Sequence, residues 1–171
     1  RSLPEFPYIE QQTSGAYIGL CIIALWTTRK HIGAVVRTVF IGRLRGIDDS
    51  DEAMRYRTTI VSMLIAIALL TLFCLRMGMS LTVVLVFLIL YFALSTAITR
   101  MRAELGSPVH DLHFSGPDMM ISKALGARKL SPGDLTGLSF LWFFNRAYRG
   151  HPMPHQLEGF KLAERSGASN K

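Results

Sequence analysis

Two long uncharged runs, Thr58–Leu75 and Met77–Thr99, separated only by Arg76, dominate the polarity pattern of the chain. At a helical rise of about 1.5 Å per residue they extend for roughly 27 and 35 Å, and either matches a hydrocarbon core of about 30 Å. They predict a transmembrane helical hairpin whose turn, Arg76-Met-Gly-Met-Ser80, is short enough to make the arms antiparallel neighbours. Small residues Ser62, Ala66 and Ala68 on one arm and Ala93, Ser95 and Ala97 on the other allow a close approach. A third uncharged run, Gln11–Thr28, has its apolar centre at Ala16–Trp26, with Tyr17 and Trp26 near the interfaces. Gln11, Gln12, Thr13 and Ser14 suit protein better than lipid, so the outer end of this helix is expected to pack against other segments. The fold class expected is all-α and integral to a membrane: three transmembrane helices over about 11–28, 58–75 and 77–99, plus amphipathic and interfacial cytoplasmic helices.

The flanking segments follow from the same reading. Residues 1–10, with Pro4 and Pro7, form an extended outer segment. Past Arg29 and Lys30 the helical pattern continues, Ile32, Val36 and Phe40 recurring at i, i+4 and i+8 beside Val35 and Val39. This predicts a basic amphipathic helix over about 29–45 on the cytoplasmic surface; the alternative is one long helix that leaves the membrane and packs on a neighbour. Gly46–Glu52 reads as a turn whose carboxylates favour the positive end of the next helix, and its spacing does not match a calcium loop.

Residues 100–171 form a cytoplasmic and interfacial helical region. Ser115-Gly-Pro-Asp118 and Ser131-Pro-Gly-Asp134 each place Ser three residues before Asp, the capping-box spacing, with proline near the first turn. They predict helices over about Pro117–Leu125, ended by Gly126, and about Pro132–Tyr148. The apolar stretch Leu135–Phe144 is too short to span and suits an interfacial or re-entrant helix, with interfacial preferred. Gln156–Arg165 is an amphipathic helix that needs a partner surface because Gly159 weakens it.

The formal charge of +7 changes the picture through its placement. Lys and Arg number 1 before the first run, 7 between the first and second, 1 at the turn and 10 after Thr99. This alternation follows the positive-inside bias and puts the N-terminus and Arg76 outside, and the 29–57 loop and C-terminal third in the cytoplasm. Basicity then reports topology and contact with anionic lipid at the cytoplasmic face, and nucleic acid is not an expected partner. The location expected is the inner (plasma) membrane, multi-pass, with other membrane protein segments or subunits as partners. The chain starts at Arg1 with no initiator methionine or signal peptide, as expected of a processed product or a piece of a longer protein. Cys21 and Cys74 lie inside apolar runs and read as buried thiols.

Candidate chemistry is sparse. Neither arm of the hairpin holds Asp, Glu, Lys or His, so a proton or ion relay there is not indicated. His110, Asp111 and His113 place two imidazoles around a carboxylate, and His151 and His155 flank Met153; these are weak candidates for zinc, iron or copper. Pro152 and Pro154 argue against a regular helix through the second pair, so an ordered polar turn explains the same residues. No serine or cysteine sits in a nucleophile motif, no catalytic residue or cofactor is assigned, and the chain is not expected to be an enzyme.

Several phrases resemble a known family. Arg102-Ala-Glu-Leu-Gly106, Pro108-Val-His-Asp-Leu-His113, Gly116-Pro-Asp118 and Asn145-Arg-Ala-Tyr-Arg-Gly-His-Pro-Met-Pro-His-Gln-Leu-Glu158 are similar to those of a bacterial family of uncharacterised multi-spanning membrane proteins. Glu10-Gln11-Gln12, Ala24-Leu25-Trp26 and Arg29-Lys30-His31 resemble the same family. The resemblance implies a transporter-like protein, faintly similar to oligopeptide-transporter permeases, with this chain matching the later part of a longer member. It implies topology and no chemistry. The expected function is part of a polytopic, transporter-like membrane protein of unknown substrate. The alternatives are a structural accessory subunit of a larger membrane complex and, third, a membrane metalloenzyme.

Overall fold

The computed structural model describes residues 6–41, 52–106, 115–145 and 148–168. Within them the chain is helical, with no strand: α1 (Ile9–Ile41), α2 (Tyr56–Arg76), α3 (Leu81–Leu105), α4 (Pro117–Leu125), α5 (Pro132–Asn145) and α6 (Pro152–Ser166). Short 3-10 turns at Ala127–Lys129 and Tyr148–Gly150 join α4 to α5 and lead into α6. The carboxylate loop at 46–52 lies almost wholly outside the described residues; at its end the Tyr56 hydroxyl donates to Glu52 across 3.0 Å.

Among the described residues two helices are long and apolar enough to cross a membrane: α2, with mean hydropathy 2.5, and α3, with 2.6. Only 6% of the apolar window of α2 is buried, the reverse of a core helix in a soluble fold. Its side chains face outward, as contact with lipid requires, and the pair points to a membrane location. The third expected span is not shown. α1 runs unbroken for 33 residues through Arg29, Lys30 and Arg37, and its glutamines and hydroxyls dilute the apolar centre. The helix continues past Arg29 as expected, and it does so as one long helix, the stated alternative, rather than as a separate surface helix over about 29–45; Thr27 and Thr28 direct their hydroxyls to carbonyls one turn back.

The hairpin arms diverge from their turn. Ser62, Ala66 and Ala68 are exposed, so the predicted small-residue seam between α2 and α3 is absent. The small face of α3 serves other partners instead. Ser95 and Ala97 lie buried among Leu94 and Ile98, where Tyr148, Tyr17 and Met120 pack.

After α3 the chain folds back along it. The first turn of α5 rests on the α2–α3 turn, where Asp134 Oδ1 accepts from Ser80 N–H at 2.7 Å. Phe144, at the far end of α5, meets Phe87 and Tyr91 (ring centroids 6.3 and 5.4 Å), and Tyr148 packs on Leu94 and Ile98. Further on, Arg102 and Glu158 join the last turns of α3 to α6 through two bonds of 2.5 and 2.9 Å. The contacts therefore climb both chains in step, and α5 runs parallel to α3 from the turn inward. α4 leads up to the turn beside it, its Ile121 joining Leu138, Leu141, Val84 and Phe87 in one core. Lys123 of α4 pairs with Glu10 of α1 at 2.5 Å.

Two details of the helix starts differ from expectation. Ser131 forms its capping box: its Oγ accepts from Asp134 N–H at 3.1 Å, and Asp134 Oδ2 accepts from Ser131 N–H at 3.1 Å. Ser115 does not. Gly116 is the N-cap of α4 and no side chain caps it. The cause is proline position: proline favours the first helical residue, which follows the serine directly in Ser131-Pro132 but one residue later in Ser115-Gly116-Pro117. Asp118 thereby falls at the second helical position, out of box register. Likewise Pro152 and Pro154 do not prevent a helix through the His151–His155 pair. They occupy the first turn of α6, where no intrahelical N–H bond is lost.

Candidate functional site

Three of the histidine-region candidates, His110, Asp111 and His113, lie outside the described residues. Both nitrogens of His151 are engaged by protein. Nδ1 accepts from Met153 N–H at 3.1 Å, capping α6, which leaves the proton on Nε2 to donate to Ser95 Oγ at 2.6 Å. The Ser95 hydroxyl in turn donates a hydrogen bond to the Tyr91 carbonyl at 2.7 Å. The imidazole also lies nearly parallel to the rings of Tyr91 and Tyr148, each 5.7 Å away. His151 is thus a cap and a clasp to α3. His155 Nε2 lies 3.2 Å from the Arg149 carbonyl, and its Nδ1 lies 4.0 Å from a Glu158 carboxylate oxygen. Among the described residues no three His, Cys, Asp or Glu gather as a metal would require.

A different polar group occupies the heart of the α4–α5 hairpin. Asp118 in the first turn of α4, Asn145 at the end of α5 and Tyr148 just beyond it are all buried, Asn145 completely. Asp118 Oδ1, both amide atoms of Asn145 and the Tyr148 hydroxyl find no hydrogen-bond partner among the described residues. A buried polar atom left unpaired costs about 1–3 kcal/mol, so a group of this kind calls for a partner such as water or an ion. Asp118 and Asn145 are close neighbours but lack hydrogen-bond alignment. Burial pushes the Asp118 carboxyl above its ordinary range, more than nearby N–H groups and Asn145 pull it down. Burial, with Tyr91 and Asp118 nearby, likewise raises the Tyr148 phenol.

Gly116 explains how the oxygens come together. A Cβ there would lie 2.5 Å from Asp118 Oδ1, 3.2 Å from Asn145 Oδ1 and 3.4 Å from the Asn145 carbonyl. The missing side chain leaves one small space faced by three oxygens. Clefts flank the group on two sides. One, about 420 Å³, runs between α4 and α5 and is lined by Asp118, Ser122, Ser139 and Trp142. The other, about 410 Å³, is bordered by Tyr148, Tyr91, Phe144 and His151. The sequence reading used Asp118 only as a cap and passed over Asn145. The available signal was the Ser-Gly-Pro order, which frees Asp118 from capping.

The second unusual carboxylate, Asp134, is fully satisfied. Burial raises its pKa, but bonds from Ser80 N–H, the Ser131 and Ser80 hydroxyls and Ser131 N–H outweigh this and hold it below the ordinary range. It caps two helices at once, α5 and α3. Gly133 permits the approach, since a Cβ there would lie 2.1 Å from the Gly78 carbonyl oxygen. Gly133 and Gly137 form a small-xxx-small face that the sequence reading did not single out.

These features define an all-α protein with, among the described residues, two membrane-capable helices and a helical hairpin that folds back on one of them. The chain belongs to the DUF6785 family, a family of unknown function whose pattern matches residues 1–171. Neither the curated proteins nor the solved structures contain a match.

Proposed function

We propose that the chain is part of a polytopic, transporter-like integral membrane protein, in which α2 and α3 span the bilayer and α4–α5 is a re-entrant hairpin that handles solute. The observation that carries this reading is the buried Asp118–Asn145–Tyr148 group, held between two clefts where two short helices break beside an apolar one. Broken helices and unpaired polar atoms at depth are tolerated in membranes where they line a pathway. α5 has 14 residues, about 21 Å, which suits a half-membrane excursion rather than a crossing.

The charge bias orients the module in an inner membrane with the N-terminus and the α2–α3 turn outside and the C-terminus in the cytoplasm. Because Asp134 holds the α5 start against Ser80, the hairpin tip with Arg128 and Lys129 lies on the same side as Arg76. The basic residues left on the inner side still outnumber those outside. The test is single-cysteine labelling at positions 78 and 129, in a background with Cys21 and Cys74 replaced by alanine, using a membrane-impermeant thiol reagent. Both positions should label from the outer side. Labelling of 129 only after permeabilisation, with 78 labelled from outside, would refute the re-entrant hairpin.

A structural subunit of a larger membrane complex is the second reading. It is favoured by α2, whose nearly uncovered apolar surface suits protein as well as lipid.

A further inference from the structure

We propose that the space beside Gly116 is a binding site for a monovalent cation of about sodium's size, held by Asp118, Asn145 and Tyr148. The inference deepens the solute-handling reading of the α4–α5 hairpin and rests on it for its role, though binding can be measured independently. The donors are hard oxygens: Asp118 Oδ1, Asn145 Oδ1 and the Asn145 carbonyl around one point, with the Tyr148 hydroxyl near the carboxylate. Such a set suits alkali and alkaline-earth ions rather than transition metals, and a single carboxylate favours one positive charge over two. Burial dominates the environment of Asp118, and among the described residues no basic side chain offsets it, so the carboxylate has no countercharge among them. A cation satisfies Asp118 Oδ1, Asn145 Oδ1 and the phenol oxygen in one step, while the amide N–H group can turn to a bound water. The Asn145 carbonyl belongs to the end of α5, where the helix dipole is negative and adds to the attraction. The cleft between α4 and α5, where Ser122 and Ser139 stand among Met119, Leu135, Leu138 and Trp142, opens beside Asp118.

The experiment uses the full natural protein, purified in lipid nanodiscs, with thermal unfolding followed in NaCl, KCl, LiCl and choline chloride at constant ionic strength. Binding of ²²Na⁺ is measured in parallel. Sodium should raise the midpoint saturably where choline does not. Gly116→Ala, whose backbone φ of −67° accepts alanine, should abolish the response by placing a methyl in the site while Asp118 remains. Asp118→Asn should abolish it too, and Tyr148→Phe should weaken sodium binding about tenfold, the loss of one good ligand contact. If Asp118→Asn does not fold, the wild-type comparison and Tyr148→Phe decide. Equal midpoints in sodium and choline would overturn the proposal. So would sodium stabilisation that survives in Gly116→Ala, or stabilisation that follows pH and ignores the cation, which would make the occupant a proton. None of these outcomes bears on cysteine labelling at position 129, so the cation site and the re-entrant topology fail separately.

Discussion

Gly133→Ala adds a methyl group where the α5 start meets the α2–α3 turn, and the structure fixes the size of the conflict. The new Cβ would lie 2.1 Å from the Gly78 carbonyl oxygen and 2.9 Å from its carbon, against an ordinary contact that begins near 3.4 Å. Both atoms are backbone, so relief requires the two segments to separate by about 1.3 Å, the difference between those oxygen distances. That displacement stretches the 2.7 Å Ser80 N–H bond to Asp134 to about 4 Å and the 3.0 Å hydroxyl bond similarly, beyond hydrogen-bond range. Each is a bond to a charged group worth about 1.5–3 kcal/mol, and partial replacement by water leaves a net loss of about 3 kcal/mol. For a chain of this length that lowers the thermal midpoint by roughly 6–12 °C. The assay is thermal unfolding in detergent, followed through the fluorescence of Trp142 on α5. Gly137→Ala is the graded control, because the atoms nearest its Cβ belong to the flexible Met79 side chain, at 2.3 and 2.4 Å; a loss of about 1–2 kcal/mol is expected. Gly159→Ala, with open space around it in α6, should instead stabilise by up to about 1 kcal/mol. If Gly133→Ala proved as harmless as Gly159→Ala, α5 would not rest on the turn and the fold-back would be wrong.

Further outcomes follow from the other anchors. Asp134 has a depressed pKa, so its stabilisation is present above the unfolded carboxylate value of about 3.9 and is lost as pH falls through the lower folded value. The midpoint difference between wild type and Asp134→Asn should therefore be constant near neutrality and shrink below about pH 4; a difference that grew on acidification would contradict the double cap. Ser95→Ala and His151→Ala should be non-additive, with a coupling of about 1–2 kcal/mol in a double-mutant cycle, since each removes the other's partner. Simple additivity would break the proposed clasp. Glu158→Lys replaces the partner of Arg102 by a like charge, so α6 should become sensitive to brief proteolysis while the α2–α3 hairpin resists.

The parts of this fold that the sequence discloses are those governed by local rules. The two apolar arms announce themselves by length, and Gly126 and Pro117 bound α4 at the residues expected, because capping and proline chemistry act over a few positions. What escapes is set by contacts distant in sequence. Nothing between Ser131 and Asp134 reveals that the same carboxylate also caps a helix starting at Leu81. The length of α5 fits an interfacial and a re-entrant helix alike, and its pairing with Ser80 is invisible in the sequence. Small residues on α2 suggest a seam because spacing cannot tell an exposed alanine from a packed one. The polar group at Asp118 was hidden for a related reason: Asn145 and Tyr148 lie in aromatic-rich sequence and become a site only when α5 returns to the start of α4.

The anchors and the unpaired group make physical sense together. If the hairpin lies in a bilayer as proposed, helix association gains little from hydrophobic burial, since lipid is as apolar as leucine, and polar bonds with close glycine contacts would fix it. Asp134 and Gly133 fix its tip, and His151 with Glu158 fix the chain just beyond its other end, on α3. Between these clamps Asp118, Asn145 and Tyr148 lie buried, with polar atoms that find no hydrogen-bond partner among the described residues. Strain of this kind persists in a fold only where surrounding contacts over-determine it. Clamping both ends while leaving the middle unsatisfied is the arrangement expected of a site that waits for something to bind, and it sets the three residues apart from the fully bonded carboxylate at Asp134.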